Sequence, residues 1–184
     1  MKEVKRCNWC NINNQKYINY HDNCWGQLNL DEDNLYKMLL LESFQAGLSW
    51  ECVLNKYLSF KQAFDNFNVN KIAKYDDQKI QDLLNNQNII RNKLKITATV
   101  SNAKIFINIK KEYGSFKKYL LTFWNGDVIF DYESTTSNLS DKISNDLKKR
   151  KMKFVGSTII QSYLQAIGII NAHQPSCFKY KNNL

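Results

Sequence analysis

The side chains best suited to bind a metal lie near the two ends of the 184-residue chain. The chain has only two histidines, His21 and His173, with Cys7 before the first and Cys177 after the second. Two thiolates and two imidazoles are a common tetrahedral ligand set for a structural Zn²⁺. Each residue also has an ordinary interpretation, because free cysteines are often small buried apolar groups and buried histidines are often hydrogen-bonded structural groups. The residue types predict a metal site without fixing its members.

Two different zinc sites are consistent with these residues. The first is local and uses four residues of the N-terminal segment: Cys7, Cys10, His21 and Cys24. The second joins the two ends of the chain and uses Cys7, His21, His173 and Cys177. Spacing alone slightly favours the local set, whereas the second explains why His173 and Cys177 lie so close together in a coil-like tail. Both sets provide four protein ligands, so one structural ion per chain is expected in either case.

A second group of potentially functional residues lies in the sequence ESFQAGLSW, residues 42–50. On a continuous helix, Glu42, Ser49 and either Gln45 or Ala46 would share one face. Tyrosines and a tryptophan precede this stretch in the sequence QKYINYHDNCWG. Aromatic side chains usually belong to the core and a single glutamate is usually solvated. The composition of these segments therefore does not separate a binding pocket from ordinary packing.

The overall composition indicates a globular, basic protein. Apolar residues make up 43% of the chain, which is enough for a core, and the formal net charge is +9 with an isoelectric point near 9.2. An excess of lysine favours nucleic acid or another anionic surface as a partner, although a basic charge is also common in proteins without one. We predict no secretory signal and no membrane-spanning helix. Five cysteines without a signal peptide predict a reducing cytoplasm and no disulfides.

The hydrophobic spacing predicts an all-α fold of roughly eight or more short helices. Residues 1–30 are expected to be mostly coil, with a first helix that begins near Asp31 and breaks at Gly47. Further helices are predicted over residues 50–58, 60–67, 69–74, 77–84, 93–113, 116–124, 140–151 and 157–167. Gly114 should end the longest of these helices, and Ser140 and Ser157 should cap the last two. Only residues 128–130 are expected to be briefly extended.

Five segments in chain order resemble the 3-methyladenine DNA glycosylase I family of base-excision repair enzymes. They are YINYHDNCWG, LLLESFQAGLSWECVL, NIIRNKLKI, DLKKRKMKFVGSTI and QAIGIINAH. The resemblance covers nearly the whole chain, from Cys7 to Cys177. It implies an all-α helix-hairpin-helix glycosylase fold in a single domain over residues 1–184. In that domain a helical core at 31–168 is closed by zinc between residues 1–30 and 170–180.

The resemblance also selects between the two zinc sites. The ligand positions of the family correspond to Cys7, His21, His173 and Cys177, which implies that Cys10 and Cys24 are bystanders. Cys24 stands where the family usually has an acidic residue, and this difference leaves room for ligand exchange or for a thiol near the metal.

A pocket for a damaged base is implied by the same resemblance. Its members correspond to Glu42, Trp50, Tyr20, Tyr17 and Trp9, and Leu48 is a further pocket or wedge residue. Methylation at N3 makes adenine cationic, so aromatic faces attract the base by cation–π stacking and a carboxylate adds a charge-assisted hydrogen bond. Glu42 is therefore the expected catalytic residue, as a recogniser and electrostatic stabiliser rather than a general base. The implied activity is hydrolysis of the N-glycosidic bond of 3-methyladenine without lyase activity.

The resemblance places a DNA-binding hairpin at residues 86–93. Its contacts would be Asn88, Arg91 and Lys93, with backbone N–H groups and a helix N-terminus directed at phosphates. Asn88 and Lys151 stand where the family often has glycine, and asparagine tolerates the left-handed backbone region that glycine favours. The basic residues 148–153 are either a further phosphate contact or a solvated helix end.

The expected partner is double-stranded DNA that contains alkylated adenine, with free 3-methyladenine as the product. We expect a monomer in the cytoplasm, associated with the nucleoid of a bacterium, and no membrane partner. Two alternatives remain open at this point. One is a zinc-stapled nucleic-acid-binding module without activity, and the other is a thiol redox protein that uses Cys7 and Cys10.

Overall fold

The computed structural model describes residues 4–180 and contains ten α-helices in this range. The helices are α1 (Gln15–Asn23), α2 (Glu32–Gln45), α3 (Trp50–Asn55), α4 (Tyr57–Ala63), α5 (Val69–Ile72), α6 (Asp77–Asn85), α7 (Lys93–Tyr113), α8 (Phe116–Leu121), α9 (Asn138–Lys149) and α10 (Ser157–Ala166). A 3₁₀ turn at Asp65–Phe67 joins α4 to α5. The prediction of an all-α fold is confirmed.

The only strands within residues 4–180 are two short ones, β1 (Ile129–Phe130) and β2 (Ile170–Asn171), which pair in parallel. The N–H of Ile129 donates to the carbonyl of Ile169 at 2.9 Å. The expectation of a brief extended segment at residues 128–130 is confirmed, and its partner is the segment that leads to His173.

Helix α2 is the centre of the fold. It is buried on nearly all sides, from Leu35 through Phe44, as expected of a helix that is surrounded by others. The side chain of Asp31 caps it by accepting the N–H groups of Asp33 and Asn34 at 3.0 and 3.1 Å. The predicted start at Asp31 is confirmed, and the carboxyl end of this helix brings Glu42 into the interior.

The longest helix, α7, agrees with its prediction at both ends. It runs from Lys93 to Tyr113, and Gly114 follows in the left-handed conformation with φ of 85°. Its N-cap is Asn92, whose side chain accepts the N–H of Lys95 at 3.1 Å. Phe106 of this helix stacks on Phe116 with ring centroids 4.2 Å apart, which packs α7 against α8.

Several predicted boundaries are wrong. Residues 15–23 form helix α1, where coil was expected, because Asn14 caps a turn whose buried face is aromatic. Ser137 rather than Ser140 caps α9, with Ser140 as the reciprocal member of a capping box. Gly156 rather than Ser157 precedes α10, and α8 ends at Leu121. These errors move helix ends and add one helix without changing the fold class.

The two ends of the described chain meet. The N–H of Gly26 donates to the carbonyl of Gln165 at 3.0 Å, and the N–H of Phe178 donates to the carbonyl of Lys5 at 2.9 Å. Gly168 has φ of 79°, and a Cβ atom at this position would lie 2.2 Å from the carbonyl carbon of Gln27. Only glycine permits this approach, which brings the end of α10 against the segment that carries the first histidine.

Candidate functional site

Four metal-binding side chains come together where the two ends meet. Cys7, His21, His173 and Cys177 are all buried, and their ligand atoms lie within 4.8 Å of one another. The Sγ atom of Cys7 is 3.5 Å from Nδ1 of His173. The Sγ atom of Cys177 is 3.5 Å from Nε2 of His21 and 3.6 Å from Nδ1 of His173. Four ligand atoms in this arrangement could hold one metal ion. We call these four residues the metal cluster.

The remaining atoms of the metal cluster are held by hydrogen bonds. Nδ1 of His21 donates to Asp22 at 2.7 Å, and Arg6 donates to both oxygens of the same carboxylate. Nε2 of His173 donates to the carbonyl of Trp25 at 3.3 Å. This assignment of ring protons leaves Nε2 of His21 and Nδ1 of His173 unprotonated, as a metal ligand must be, and fixing the ligand nitrogen is the usual role of such second contacts.

The electrostatics of the metal cluster suit ligation of a cation. Burial, with a smaller contribution from His21, lowers the pKa of His173 to about 4, so its imidazole is neutral as a metal ligand must be. Burial raises the pKa of Cys7 to about 12. A thiol in this position needs a nearby cation to ionise, and a bound metal ion would provide one.

The local zinc set is not assembled in the structure. In the described part of the chain, the metal cluster is the only group of three or more potential ligands in which Cys7 or His21 takes part. Cys24, whose thiol left room for ligand exchange, is exposed and lies outside the group. Cys10 is buried but also lies outside the group, and the partner it would need for redox chemistry, Cys7, belongs to the metal cluster.

A cavity of about 180 Å³ lies next to the metal cluster and contains Glu42. It is lined by Trp9, Tyr17, Tyr20, Trp25, Glu42, Gln45, Trp50, Ser162 and Gln165. Five of the six residues expected to form a base pocket are among them. The sixth, Leu48, does not line the cavity and is 41% exposed in the turn between α2 and α3. We call this cavity the base pocket.

The carboxyl group of Glu42 is the notable feature of the base pocket. The side chain is 2% exposed, and its Oε2 atom has no hydrogen-bond partner among the described residues. Burial raises the pKa of Glu42 to about 8. A buried carboxyl group without a partner costs free energy unless a ligand satisfies it. Its position and its pKa are both typical of functional sites.

Aromatic rings enclose this carboxyl group. The rings of Tyr20 and Trp50 are 5.0 Å apart at an angle of 42°, and Trp9 lies 5.4 Å from Tyr17. The Nε1 atom of Trp50 is buried and has no partner within residues 4–180. Burial raises the pKa of Tyr20 well above its usual value, so its hydroxyl remains neutral. Electron-rich ring faces beside a carboxyl group form a site for a flat, positively charged ligand.

The break between α2 and α3 positions these groups. Helix α2 ends at Gln45, and Gly47 has φ of 77°, which confirms the expected break at Gly47. Glu42 and Ser49 therefore do not share the face that one continuous helix would give them. Ser49 instead caps α3 by accepting the N–H of Cys52 at 3.3 Å. Trp50 is the first residue of α3, and the turn allows its indole to line the same pocket as Glu42.

Two tryptophans connect the metal cluster to the base pocket. Trp25 lies 4.7 Å from the ring of His173, and Trp9 lies 5.2 Å from the ring of His21. Both tryptophans also line the base pocket. These two side chains therefore form a wall that the two sites share.

A larger cavity of about 760 Å³ shares Tyr20 and Trp50 with the base pocket. Its other walls include Leu28, Leu58 and Lys37, and none of its lining residues within the described chain carries a carboxylate. The larger cavity lacks a negative charge that would attract a cation, so the smaller cavity with Glu42 is the better candidate for binding a cationic ligand.

The predicted hairpin lies between α6 and α7. Asn88, Arg91 and Lys93 are exposed there, and the side chain of Lys56 donates to the carbonyl of Asn88 at 3.3 Å. The prediction that Asn88 has a positive φ is wrong, because the non-glycine residues with positive φ are elsewhere. One of them is Lys151, with φ of 71°. This left-handed conformation agrees with the expectation that Lys151 stands where the family often has glycine.

The basic residues 148–153 divide into two groups. Arg150 is bound to Glu112 and Asp146, so it links the end of α9 to the end of α7. Lys148, Lys149, Lys151 and Lys153 are exposed. Asn102 of α7 holds this loop by donating to the carbonyl of Lys153 at 2.8 Å and accepting its N–H at 2.9 Å.

Comparison with known proteins identifies the family of the chain. Residues 9–180 match the family described as methyladenine glycosylase. The chain is similar to DNA-3-methyladenine glycosylase 1 of Escherichia coli (strain K12), with 35% identity over 186 residues that cover 98% of this chain and 99% of that protein.

Solved structures show the same similarity. A crystal structure of a 3-methyladenine DNA glycosylase I has a TM-score of 0.91 and 36% identity, and covers 96% of this chain and 100% of that one. The Staphylococcus aureus enzyme, whose structure concerns the recognition of 3-methyladenine, has a TM-score of 0.88 and 35% identity, over 96% of this chain and 98% of that one.

Proposed function

This chain belongs to the methyladenine glycosylase family, and we propose that it removes 3-methyladenine from alkylated DNA in the pocket that contains Glu42. The observation that carries this proposal is the buried carboxyl group of Glu42, whose Oε2 atom lacks a partner among the described residues while aromatic rings surround it. A flipped, methylated adenine is flat and positively charged and carries N–H groups. It can therefore stack on these rings and donate a hydrogen bond to Glu42.

The pocket selects the base by charge. Methylation at N3 places a positive charge on adenine while it is still bound to the sugar, and the rings of Tyr20 and Trp50 attract that charge through their faces. Unmethylated adenine is neutral and would have to satisfy Glu42 without a compensating charge. The target nucleotide must leave the duplex to reach the pocket, which costs a few kcal/mol and is easiest for a damaged base.

Glu42 recognises the base as an anion. In the empty pocket its pKa is about 8, because burial disfavours the charged form. A cationic base in the pocket lowers that pKa, so binding below this pH is expected to release a proton from Glu42. The resulting carboxylate accepts a hydrogen bond from an N–H group of the base.

The bond that breaks joins N9 of the base to C1′ of the sugar. Its electron pair goes to the base, which leaves as a neutral molecule, and the oxygen of a water molecule bonds to C1′ and loses a proton to solvent. The methylated base is a good leaving group and needs no proton from the enzyme. Glu42 therefore holds the base and stabilises nearby positive charge, and we expect no strand cleavage by the enzyme.

We propose that the metal cluster holds one Zn²⁺. Tetrahedral zinc with Zn–S bonds of about 2.3 Å and Zn–N bonds of about 2.1 Å places sulfur and nitrogen about 3.6 Å apart. The three separations from 3.5 to 3.6 Å between the thiols and the imidazoles agree with that geometry. With four protein ligands, the ion would stabilise the fold and leave no position for substrate.

For the DNA we propose contacts from the hairpin and from the turn between α2 and α3. Arg91 and Lys93 are exposed next to the N-terminus of α7, where basic side chains and backbone N–H groups suit phosphates. Asn88 would contribute a backbone contact, and the exposed Leu48 would enter the space that the flipped base leaves in the duplex. We also propose one domain that acts as a monomer on double-stranded DNA at the bacterial nucleoid.

Base release from DNA alkylated with a labelled methyl donor tests the proposed activity. We expect chromatography to show free 3-methyladenine and an intact DNA strand at the abasic site. Glu42→Gln should release the base at least about 100-fold more slowly. Glu133→Gln, a change of the same type at an exposed glutamate outside the pocket, should behave as wild type. Absence of release, with equal binding of damaged DNA by Glu42→Gln and wild type, would instead indicate a binding module without activity.

A further inference from the structure

A buried lysine lies directly behind the base pocket. Lys95, in the first turn of α7, is 5% exposed, and its ammonium group donates to the carbonyl of Phe44 at 2.7 Å and to that of Ala46 at 2.6 Å. The face of the Phe154 ring lies 5.8 Å from the same nitrogen. Burial of an ammonium group is costly unless its hydrogen bonds are well made. Because the ammonium group of Lys95 is buried with two short hydrogen bonds to carbonyls, we expect its role at those carbonyls.

Both carbonyl groups belong to the end of α2. The last carbonyls of a helix lack partners within the helix and carry partial negative charge. In α2 the backbone turns away at Ala46, which has φ of −45° and ψ of 112°, so the chain cannot satisfy these carbonyls by continuing as a helix. Lys95, which belongs to α7, donates hydrogen bonds to the carbonyls of Phe44 and Ala46, and its positive charge complements their partial negative charge.

The segment that Lys95 holds joins the two main groups of the base pocket. Glu42 lies in the last turn of α2, just before Phe44, and Trp50 begins α3 just after the turn at residues 46–49. The turn itself is exposed from Gly47 to Ser49. The fixed end of α2 at Ala46 therefore determines where α3 starts, and with it the separation of the carboxyl group and the indole.

Lys95 also lies next to the proposed DNA-binding hairpin, in the helix that follows it. It follows the exposed Lys93 by two residues, and its backbone N–H donates to the side chain of Asn92, the N-cap of α7. One residue thus connects the hairpin to the turn that carries Leu48. A shift of the hairpin on DNA would move the ammonium group and the two carbonyls together.

We propose that Lys95 is a positioning residue, whose ammonium group sets the separation of Glu42 and Trp50 and couples the DNA-binding hairpin to the base pocket. This inference rests on the proposed function. Lys95 does not touch the base, and it acts through the backbone of residues 44–46. Misplacement of a reacting group by about 1 Å can reduce a rate 100-fold, so loss of this contact should be measurable at the pocket.

The test compares Lys95→Met with Lys104→Met, which removes an exposed lysine from the same helix. Calorimetric titration with free 3-methyladenine should give a dissociation constant about tenfold higher for Lys95→Met, and kcat for base release should fall by at least about tenfold. Lys104→Met should match wild type in both. Lys95→Arg, which keeps donors for two carbonyls, should recover a large part of the affinity.

The dissociation constant separates positioning from loss of fold. A partly unfolded preparation lowers the number of binding sites but leaves the affinity of each folded site unchanged. If Lys95→Met does not fold, Lys95→Gln replaces it, with an expected loss of affinity of at least about threefold. A dissociation constant and a kcat equal to wild type in the folded variant would overturn the proposal. If wild type itself neither binds 3-methyladenine nor releases it, the proposed function fails instead.

Discussion

The metal cluster and the base pocket are neighbours, and both contain buried polar atoms, but those atoms are hydrogen-bonded in the cluster and partly unpaired in the pocket. In the metal cluster, both ring nitrogens of each histidine have a contact: Nδ1 of His21 with Asp22 and Nε2 of His173 with Trp25, while the other two face thiols. In the base pocket, Oε2 of Glu42 and Nε1 of Trp50 lack partners among residues 4–180.

This difference separates a site that stabilises the protein from one that binds a ligand. Satisfied polar groups contribute to the native state, whereas each buried unsatisfied group costs about 1–3 kcal/mol. The hydroxyls of Tyr36 and Tyr163 also lack partners in the described part of the chain, but neither residue lines the base pocket. In the pocket, a carboxyl group, an indole N–H and aromatic faces share one cavity, so the missing partners point to a ligand. Changes in the metal cluster should therefore reduce stability, and changes in the pocket should reduce activity.

The largest effect is expected from loss of a metal ligand. Cys177→Ser removes one of four ligands that join the two ends of the chain, so the metal should be lost and the Tm should fall by about 10 °C or more. Calorimetry and metal analysis of the purified protein measure both quantities. The affinity of the remaining folded protein for 3-methyladenine should change by less than about threefold.

Cys10→Ser is the matched control, because Cys10 is also a buried cysteine in the N-terminal segment but lies outside the metal cluster. It should keep its metal and most of its stability. Equal melting temperatures of Cys177→Ser, Cys10→Ser and wild type would show that no stabilising metal is bound.

The second effect is the reverse case, in which activity falls and stability does not. Glu42→Gln should reduce kcat/KM for base release at least about 100-fold, equivalent to about 2.7 kcal/mol, because the amide cannot provide the negative charge. Its Tm should equal or exceed that of wild type, since a neutral amide replaces a carboxyl group that lacks a partner. A large fall in Tm would mean that Glu42 is a structural residue, and the contrast between the two sites would fail.

The third effect is a pH dependence that belongs to the pocket alone. The proposed mechanism requires an ionised Glu42 to bind the cationic base, and burial raises the pKa of Glu42 to about 8. We expect kcat/KM to rise about tenfold between about pH 7 and pH 9 in wild type and to stay flat in Glu42→Gln.

The same raised pKa predicts a change in stability with pH. The native state keeps the proton of Glu42 up to about pH 8, whereas the unfolded chain loses it near the ordinary value of 4.5. The proton that the native state holds more tightly contributes to the free energy of unfolding. This contribution is fully present below the unfolded pKa and is lost as the pH rises through the folded pKa. The difference in Tm between Glu42→Gln and wild type should therefore grow in favour of the variant as the pH rises towards 8. A constant difference would contradict the assignment.

The smallest effect concerns one wall of the pocket. Trp50→Ala should weaken binding of free 3-methyladenine by about 1 kcal/mol or slightly more, roughly fivefold, because stacking on the indole is lost. Titration calorimetry measures the change, and Trp124→Phe provides a control at a tryptophan that does not line the pocket. An unchanged dissociation constant would place the base elsewhere.

The fold could be predicted from the sequence where local signals are strong. Asp31 and Gly114 fix the ends of their helices through side-chain capping and a left-handed residue, and both were identified correctly. Helix α1 was missed because its buried face consists of Tyr17, Tyr20 and His21, which give a weak apolar pattern. The Ser137 cap was missed because Ser140 three residues later has the same chemistry, and only the structure shows which accepts the helix N–H groups.

The site could be predicted only in part, because local sequence signals do not show which distant residues come together. Spacing could not decide between the two zinc sets, because the choice depends on contacts such as Cys7 with His173, 166 residues apart in the chain. Ser162 and Gln165 of α10 line the base pocket but carry no motif of their own, and they were missed. Their spacing of three residues, which places two polar side chains on one face of α10 near the end that contacts Gly26, is the signal that could have identified them.

A crystal soaked with 3-methyladenine tests the central claim most directly. The account predicts density for the base in the base pocket, against the rings of Tyr20 and Trp50, with one of its N–H groups within hydrogen-bonding distance of Oε2 of Glu42. Density only in the larger cavity beside Leu28 and Lys37, or a bound base that leaves Oε2 without a partner, would contradict it.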